Sequence, residues 1–307
     1  ETLAASAVVL TVPAPVAARL MQPLSQEVAQ RLSRLRYNPL SVVHLHAETE
    51  LSGLGFQVSL AEPLALRGVT FNDSLFGRTN VYTVYLGGGT PSMLSPFLLR
   101  RLLEGLREIF RILPGAEINL EANPATFGRR TAASYMDLGI SRVSLGAQSF
   151  DPENLTALGR THGPSEITRS FALLRKAGIE NVSVDLIFSI PGQSLSQWRH
   201  SLEKALSLSP PHISAYNLTY EEDTPFFERF QQGLYHDKED LNAEMFELAH
   251  KLLTQHGFRH YETSNYAHPG FESCHNRAYW AGKNYLGLGP SAVSTIAGRR
   301  WKNIPDT

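Results

Sequence analysis

The sequence predicts an α/β fold in which a series of strands and helices closes into a barrel, full or partial. From Val81 onward, short β-branched or aromatic runs alternate with helical patterns of about ten to eighteen residues, which is typical of successive βα units and a parallel sheet. Gly139, Gly178 and Gly257 follow three of the helical patterns, as C-terminal caps do. A serial βα array without a GxGxxG dinucleotide motif favours a barrel over a Rossmann sheet.

The individual elements follow from the same patterns. Strands are predicted at residues 83–86, 117–121, 142–145, 183–188, 212–217 and 259–262, and an earlier run at 40–46 would be a seventh. The helices between them are predicted at residues 95–110, 129–138, 165–177, 195–206 and 238–255, because each places apolar residues at three- and four-residue spacing. Residues 47–78 have no clean period.

Composition excludes several classes of protein. The 307 residues are 42% hydrophobic and 19% charged, which is enough to bury a large core. Lys and Arg total 28 against 29 for Asp and Glu, and no long basic run is present, so we expect no nucleic-acid partner. The apolar stretch at 3–20 contains Pro13 and Pro15 and lacks a preceding cationic flank, so we expect neither a signal peptide nor a membrane span. The single cysteine, Cys274, indicates a reducing cytoplasm.

Chemically informative residues follow the strands, where the chemistry of a barrel lies. After the strand at 83–86, three glycines at 87–89 precede Thr90 and let the backbone approach a ligand closely, although a plain strand-to-helix turn would use them too. Glu121 ends the next strand, where its carboxylate would either bind an amino group or be a solvated strand-end charge. Both alternatives stay open for each motif taken alone.

Three more polar residues follow the next strands. Gln148 can donate and accept hydrogen bonds, Arg160 offers a fork for a carboxylate, and Asp185 is a lone charge in an apolar run. A structural salt bridge is the alternative for Arg160 and for Asp185. Taken as a set, these residues and Glu121 predict a zwitterionic ligand bearing a ribose: an acid for its amine, an Arg for its carboxylate and an acid for its hydroxyls.

The chain resembles the HemW-like family of radical S-adenosylmethionine (SAM) proteins, which also contains coproporphyrinogen dehydrogenase, over residues 81–303. The resemblance rests on ordered strings that match the family: GGGTPS at 87–92, EANP at 121–124, SLGAQSF at 144–150, LGRTH at 158–162 and DLIFSIPGQ at 185–193. Later strings resemble HemW in particular: SAYNLTYE at 214–221, YETSNYA at 261–267, HN at 275–276, YW at 279–280 and YLGLGP at 285–290.

The resemblance implies a partial (β/α) TIM-like barrel of the radical SAM type, open on one side, that binds SAM at the strand ends. The residues at positions where relatives contact SAM are Gly88, Gly89, Thr90, Glu121, Gln148, Arg160, Asp185 and Thr219. It also implies three regions: an N-terminal extension at 1–38 that is helical in part, the barrel at 39–265, and a C-terminal family segment at 266–307. Because the chain starts at Glu1 instead of Met, we expect it to be part of a longer protein, with a further domain missing after the last segment.

The resemblance further implies a four-iron four-sulfur cluster, held in relatives by a CxxxCxxC loop after the first strand. The matching strand here would lie at 39–46, and it continues as AETELSG at 47–53, with no cysteine before Cys274. His44 and His46 have no thiolate nearby and are not a plausible substitute for the missing cluster ligands. We therefore expect no metal site and no reductive cleavage of SAM. Cys274 lacks the second cysteine of a haem-attachment motif and is interpreted as structural.

Three functions follow from the resemblance. The first is a HemW-like protein that binds haem or porphyrin and delivers haem to an acceptor protein. The second is a radical SAM oxidoreductase of the coproporphyrinogen dehydrogenase type. The third is a degenerate SAM-binding interaction module with neither haem nor redox chemistry. Whether the chain is an enzyme stays open, because the family's SAM-contact positions are present while its cluster ligands are absent.

Overall fold

A computed structural model describes residues 80–220, 225–236 and 238–304, together with residue 26 and the backbone of residues 42–48. The predicted extension at 1–38 and most of the aperiodic region at 47–78 lie outside these described residues, apart from residue 26 and the end of the first strand. The predicted strand at 40–46 is observed at Val42–Glu48. The predicted boundaries of the three regions are not tested by the fold and stay a prediction.

Eleven strands form one sheet in the described part of the chain. They are β1 (Val42–Glu48), β2 (Asn80–Gly87), β3 (Arg111–Ala122), β4 (Arg142–Gln148), β5 (Asn181–Phe188), β6 (His212–Asn217), β7 (Arg259–Glu262), β8 (Asn265–Ala267), β9 (Tyr285–Leu288), β10 (Val293–Ile296) and β11 (Arg299–Lys302). Their order across the sheet is β11-β10-β9-β1-β2-β3-β4-β5-β6-β8-β7.

The centre of the sheet is parallel and curls into an open half-barrel, which confirms the predicted fold class. Strands β2 to β6 pair in sequence order and all in the parallel sense. Each parallel connection contains a helix, as a crossover between parallel strands requires. The five carboxyl ends therefore meet at one edge of the half-barrel.

The flanks of the sheet are antiparallel, and here the prediction of one parallel series was wrong. The predicted strand at 259–262 is β7, which forms a hairpin with β8, and β8 pairs with β6 in the antiparallel sense. Only residues 263 and 264 separate β7 from β8, and so short a connection permits an antiparallel pair but no crossover. Strand β1 is likewise antiparallel, both to β2 and to β9.

The helices of the described residues are α1 (Pro96–Ile109), α2 (Arg129–Asp137), α3 (Pro152–Ala157), α4 (Pro164–Lys176), α5 (Leu195–Ser207), α6 (Pro225–Gln231), α7 (Glu239–Gln255) and α8 (Cys274–Trp280), with a 3₁₀ turn at Pro91–Met93. The five predicted helices correspond to α1, α2, α4, α5 and α7. Ser95 and Ser194 cap α1 and α5 by accepting backbone N–H groups, which explains where these helices begin. Gly139, Gly178 and Gly257 have φ of 83°, 97° and 83°, which confirms them as C-terminal caps.

The two faces of the central strands differ in polarity. One set of alternating positions is apolar and buried in the core, for example Val84, Leu120 and Val184. The other set is polar and faces the inside of the half-barrel, because successive side chains of a strand point to opposite faces. No helix of the described residues is long and apolar enough to cross a membrane. The fold thus places a polar inner wall below the edge where the strands end.

Candidate functional site

A cavity of about 260 Å³ opens at the carboxyl ends of the parallel strands. Its volume is close to the lower end of small-molecule sites, which span roughly 300–1,000 Å³. Six of the residues predicted from the sequence line it: Gly89, Thr90, Glu121, Gln148, Arg160 and Asp185. Residues that are up to 96 positions apart in the chain, from 89 to 185, therefore meet at one site.

The register of the sheet explains why these side chains meet. Glu121 pairs with Ser144, and Ser144 pairs with Ser183 on the next strand. Asp185, two residues beyond Ser183, pairs with Ser214 on β6. All of these residues lie on the polar inner face, so the cavity has a floor of hydroxyl and carboxylate groups.

Glu121 is held by groups that come from β2 and the turn after it. The Tyr85 hydroxyl donates to Glu121 Oε1, and the Gly88 backbone N–H donates to Oε2 at 3.0 Å. Gly88 and Gly89 have φ of 70° and 52°, a region that side-chain-bearing residues rarely adopt, and this conformation turns the Gly88 N–H toward the carboxylate. Burial raises the pKa of Glu121, opposed by the Tyr85 hydrogen bond and reinforced by the charge of Asp185.

Gly87 permits this close arrangement. A Cβ atom at position 87 would lie 2.4 Å from Cε1 of Tyr85 and 2.9 Å from Oε1 of Glu121. Both distances are shorter than real Cβ contacts, so any larger residue would displace the pair. The first glycine of the triplet therefore has a steric role, and the next two have a conformational one.

Asp185 is surrounded by three serine hydroxyls, one from each of three neighbouring strands. Ser144 donates to Oδ2 at 2.6 Å, Ser183 donates to Oδ1 at 2.8 Å, and Ser214 Oγ lies 2.8 Å from Oδ1. A carboxylate has about four acceptor sites, so one stays available toward the cavity. The described partners of Asp185 are hydroxyls and include no cation, which does not support the structural salt bridge considered from the sequence.

Arg160 and Gln148 also line the cavity. Within the described residues, the Arg160 guanidinium forms no ion pair and no hydrogen bond, and burial lowers its pKa. Gln148 has φ of 65° and lies at an irregularity in the pairing of β4 with β5. Such conformations in residues other than glycine are uncommon and cluster at functional sites. A guanidinium that lacks a carboxylate partner is suited to receive one from a ligand.

Two predicted residues do not line the cavity. Gly88 contributes through its N–H to Glu121, as described above. Thr219 is exposed beyond the end of β6, and its hydroxyl lies 3.5 Å from the carbonyl oxygen of Asn217. The assignment of Thr219 to the SAM site therefore stays a prediction without geometric support.

Several residues of the site were not singled out from the sequence. Tyr85, Ser144 and Ser214 hold the two carboxylates, and Asn123 donates from Nδ2 to Thr90 Oγ1 at 3.1 Å. The sequence signal that could have found them is the alternation of side chains between the two faces of a strand, because Tyr85, Ser144 and Ser214 each occupy an inner-facing position of their strand. Serine and tyrosine at such positions are too common in sheets to stand out individually.

The described part of the chain also bears on metal binding. No group of three or more His, Cys, Asp and Glu side chains there could hold a metal ion. Cys274, the single cysteine of the sequence, is a free thiol exposed at the first residue of α8. This residue is remote in sequence from residues 47–53, which follow the first predicted strand.

Comparisons with known proteins agree with this architecture. Residues 74–205 match the model of the radical SAM superfamily. Proteins named heme chaperone HemW from Lactococcus lactis and Escherichia coli are 40% and 41% identical to the chain, over 72% and 73% of its length and 59% of theirs. The structure of coproporphyrinogen III oxidase (HemN) from Escherichia coli, which is described as a radical SAM enzyme, superposes on this chain with a TM-score of 0.63. The two are 23% identical in sequence, and the superposition covers 74% of this chain and 55% of HemN. The chain thus spans about three fifths of the length of these HemW relatives.

Proposed function

Because the chain belongs to the HemW-like family of radical SAM proteins, we propose that it binds haem for delivery to another protein and carries a SAM-binding cavity, but does not cleave SAM. Relatives that are 40% and 41% identical bear the name heme chaperone. The observation that carries the proposal is that six residues, at positions where the family resemblance implies contact with SAM, line one polar cavity, while the sequence contains a single cysteine. Haem delivery does not require the chemistry of a radical.

The donor set of the cavity fits SAM. Glu121 offers a carboxylate for the amino group, and Arg160 offers the carboxylate of the methionine part a guanidinium that pairs with none of the described side chains. Asp185, with one acceptor site left, suits a ribose hydroxyl. These three charges complement a zwitterion that bears a ribose, which supports SAM over an anionic or purely apolar ligand.

The donor set does not fit a four-iron four-sulfur cluster. Such clusters depend on thiolate ligands, three of them from the protein when SAM occupies the fourth iron. The sequence has only Cys274. We therefore derive no step through a cluster, and we propose that bound SAM stays intact on this chain.

Haem binding is tested by titrating the purified protein with haem and following the Soret band. We expect a shifted band that saturates at about one haem per chain, at micromolar haem. An unchanged band at that concentration would remove the haem-handling function. The same titration of a Cys274→Ala variant should give the same shift, since we interpret this cysteine as structural.

SAM binding is tested separately by calorimetry on the wild type and on Glu121→Ala and Asp185→Ala variants. Each variant should bind SAM at least about tenfold more weakly, since a lost charge-assisted hydrogen bond costs roughly 1.5–3 kcal/mol. Equal affinities for the three proteins would refute the residue assignment. SAM binding without any haem binding would favour the third function, a SAM-binding interaction module.

The second candidate function is a radical SAM oxidoreductase acting on a porphyrinogen. The retained cavity and its donor set favour it, because a protein that only carried haem would not need them. Anaerobic reconstitution should then give about four irons per chain, and reduction should release 5′-deoxyadenosine from SAM. Failure of both would exclude this function for the chain.

The partners and location of the protein follow from the same proposal. We propose haem or a porphyrin as the cargo and a haem-binding apoprotein as the acceptor. We further propose a cytoplasmic location, since a free thiol and the lack of any cysteine pair are typical of a reducing compartment.

A further inference from the structure

We propose that His212 is a positioning residue of the SAM site, which acts through Ser183 to hold Asp185 in the orientation that accepts a ribose hydroxyl. This inference rests on the proposed SAM binding. His212 itself is fully buried and does not line the cavity. Its role therefore has to be argued from the hydrogen bonds that connect it to Asp185.

The first step is the bond between Ser183 and Asp185. Ser183 Oγ lies 2.8 Å from Asp185 Oδ1. An ionised carboxylate only accepts hydrogen bonds, so Ser183 must use its single proton for Asp185. Its oxygen is then available only as an acceptor toward its other neighbours.

The second step fixes the tautomer of His212. Ser183 Oγ lies 2.7 Å from Nδ1 of His212. Because the Ser183 proton points to Asp185, Nδ1 must carry the proton of this contact. Burial holds the pKa of His212 well below its ordinary value, and the charge of Arg142 acts in the same direction, so the ring is neutral. Nε2 is therefore an acceptor.

The third step extends this series of hydrogen bonds to the C-terminal part of the protein. Nε2 of His212 lies 2.8 Å from the hydroxyl of Tyr261 on β7, which must donate to it. The Tyr261 oxygen in turn accepts the backbone N–H of Ser273 at 3.2 Å. Ser273 is the N-cap residue of α8. Every proton from the cap of α8 to Asp185 thus points in one direction, toward the cavity.

The common direction of these hydrogen bonds determines which oxygen of Asp185 can accept from the ligand. Among the described residues, the hydroxyl oxygens of Ser183 and Ser214 both lie 2.8 Å from Oδ1 of Asp185, although Ser214 Oγ also lies 2.7 Å from Asn265 Oδ1. Oδ1 is therefore the more crowded oxygen, since Oδ2 is contacted only by Ser144, at 2.6 Å. The free acceptor site is then on Oδ2. If Ser183 lost its donor His212, its proton could rotate away, and the carboxylate would lose the partner that defines its orientation. A ligand hydroxyl would meet a less ordered acceptor.

The matched pair of variants is His212→Leu and His212→Asn. Leucine removes both ring nitrogens, whereas the asparagine amide retains an N–H near the position of Nδ1. We expect His212→Leu and Ser183→Ala to bind SAM about tenfold more weakly, and His212→Asn to stay within about threefold of the wild type, as one hydrogen bond to a charged network would require. The control is Ser170→Ala on α4, which removes another buried hydroxyl. This hydroxyl accepts the backbone N–H of Ala125, and its loss should leave the affinity for SAM unchanged.

A double-mutant cycle separates positioning from general damage to the fold. In an Asp185→Asn background, His212→Leu should weaken SAM binding by less than about twofold, because its partner has already been altered. An undiminished tenfold effect in that background would overturn the proposal. Unchanged affinity in Asp185→Asn alone would overturn the SAM assignment itself, so the two failures can be told apart.

Two further measurements do not depend on the stability of the leucine variant. Nitrogen NMR of the ligand-free protein should show His212 neutral and protonated at Nδ1. Protonation at Nε2 instead would overturn the proposed series of hydrogen bonds from Tyr261 through His212 to Asp185. Tyr261→Phe removes one hydroxyl and should weaken SAM binding about threefold. The control Tyr135→Phe removes a buried hydroxyl that has no partner in the described part of the chain and should have no effect. Equal affinities for both variants would contradict the proposal.

Discussion

The two carboxylates of the cavity are held in different ways. Asp185 is surrounded by hydroxyls from β4, β5 and β6, whereas Glu121 has the Tyr85 hydroxyl and one backbone N–H, both from β2 and the turn after it. Burial raises the pKa of Glu121, which indicates that its charge is only partly compensated by the protein. The difference suggests a division of tasks: Asp185 is an oriented acceptor for hydroxyls, and Glu121 is an undercompensated charge that gains from a cationic ligand.

The largest expected difference between the two sides concerns stability. Asp185→Ala leaves Ser144 and Ser183 without their carboxylate acceptor, while Ser214 keeps Asn265 Oδ1 at 2.7 Å, and the unfolding free energy should fall by about 2–3 kcal/mol. Glu121→Ala leaves the Tyr85 hydroxyl without this acceptor and one N–H on the exposed Gly88, and should cost about 1 kcal/mol or less. Urea denaturation of both variants measures the two losses of unfolding free energy. Equal losses would mean that the hydroxyls around Asp185 do not support the fold.

A second substitution tests how closely the residues around Glu121 are packed. Gly87→Ala introduces a Cβ 2.4 Å from Cε1 of Tyr85, which should lower the unfolding free energy by about 1–3 kcal/mol and weaken SAM binding. The control is Gly105→Ala in α1, where a Cβ meets no atom within 4 Å. There the substitution should stabilise the helix by about 0.5–1 kcal/mol. A well-tolerated alanine at 87 would show that Tyr85 and Glu121 can move together without loss.

The third change removes only the charge of Glu121. Glu121→Gln keeps an acceptor for Tyr85 and should leave the stability nearly unchanged, but it should weaken SAM binding about tenfold, because the amine loses its ionic partner. Calorimetry at neutral pH measures the affinity. The comparison with Asp185→Asn is informative: the two variants should respond differently to a SAM analogue that lacks ribose hydroxyls, with only Asp185→Asn insensitive to their removal.

The smallest expected effect is on the pH dependence. The folded-state pKa of Glu121 is raised above 4.5, so between 4.5 and that higher value the folded protein holds a proton that the unfolded chain has released. The unfolding free energy should therefore decrease as pH rises through this window, by at most about 1.4 kcal/mol per pH unit. SAM affinity should increase over the same window, as Glu121 ionises and gains the charge that the amine needs.

Glu121→Gln is the control for both pH effects. The variant should lose the decrease in stability and the increase in affinity, because the titrating group is gone. Urea denaturation and calorimetry at several pH values above 4.5, on both proteins, supply the measurement. Parallel pH profiles for wild type and variant would show that another group is responsible.

Much of the parallel region could be predicted from the sequence. Strands β2 to β6 and the long helices between them have strong periodicity, and their ends were marked by glycine, proline and serine residues. The short elements α3, α6, α8 and β8 to β11 were not predicted, because three to seven residues are too few to establish a period. The direction of β7 was wrong for a related reason: a strand's residue pattern does not encode its sense.

The candidate site divides in the same way. Six of eight predicted residues line the cavity, because strand ends of a parallel sheet necessarily meet at one edge. Tyr85, Ser183 and His212 could not be identified, since their importance depends on which neighbour each strand has and in which register. Thr219 lies on the segment beyond β6, where no regular element fixes its position.

The sequence alone determined the alternation of strands and helices, the polar residues at the strand ends and the shortage of thiolates for a cluster. These are properties of local pattern and composition, which are present in the chain before it folds. Only the tertiary structure decided that three serines from three strands converge on Asp185, and that His212 and Tyr261 extend this network to α8. Apart from Ser183–Asp185 and Tyr261–Ser273, these contacts join residues 29 to 49 positions apart, and they exist only once the register of the sheet has brought the inner faces of its strands together.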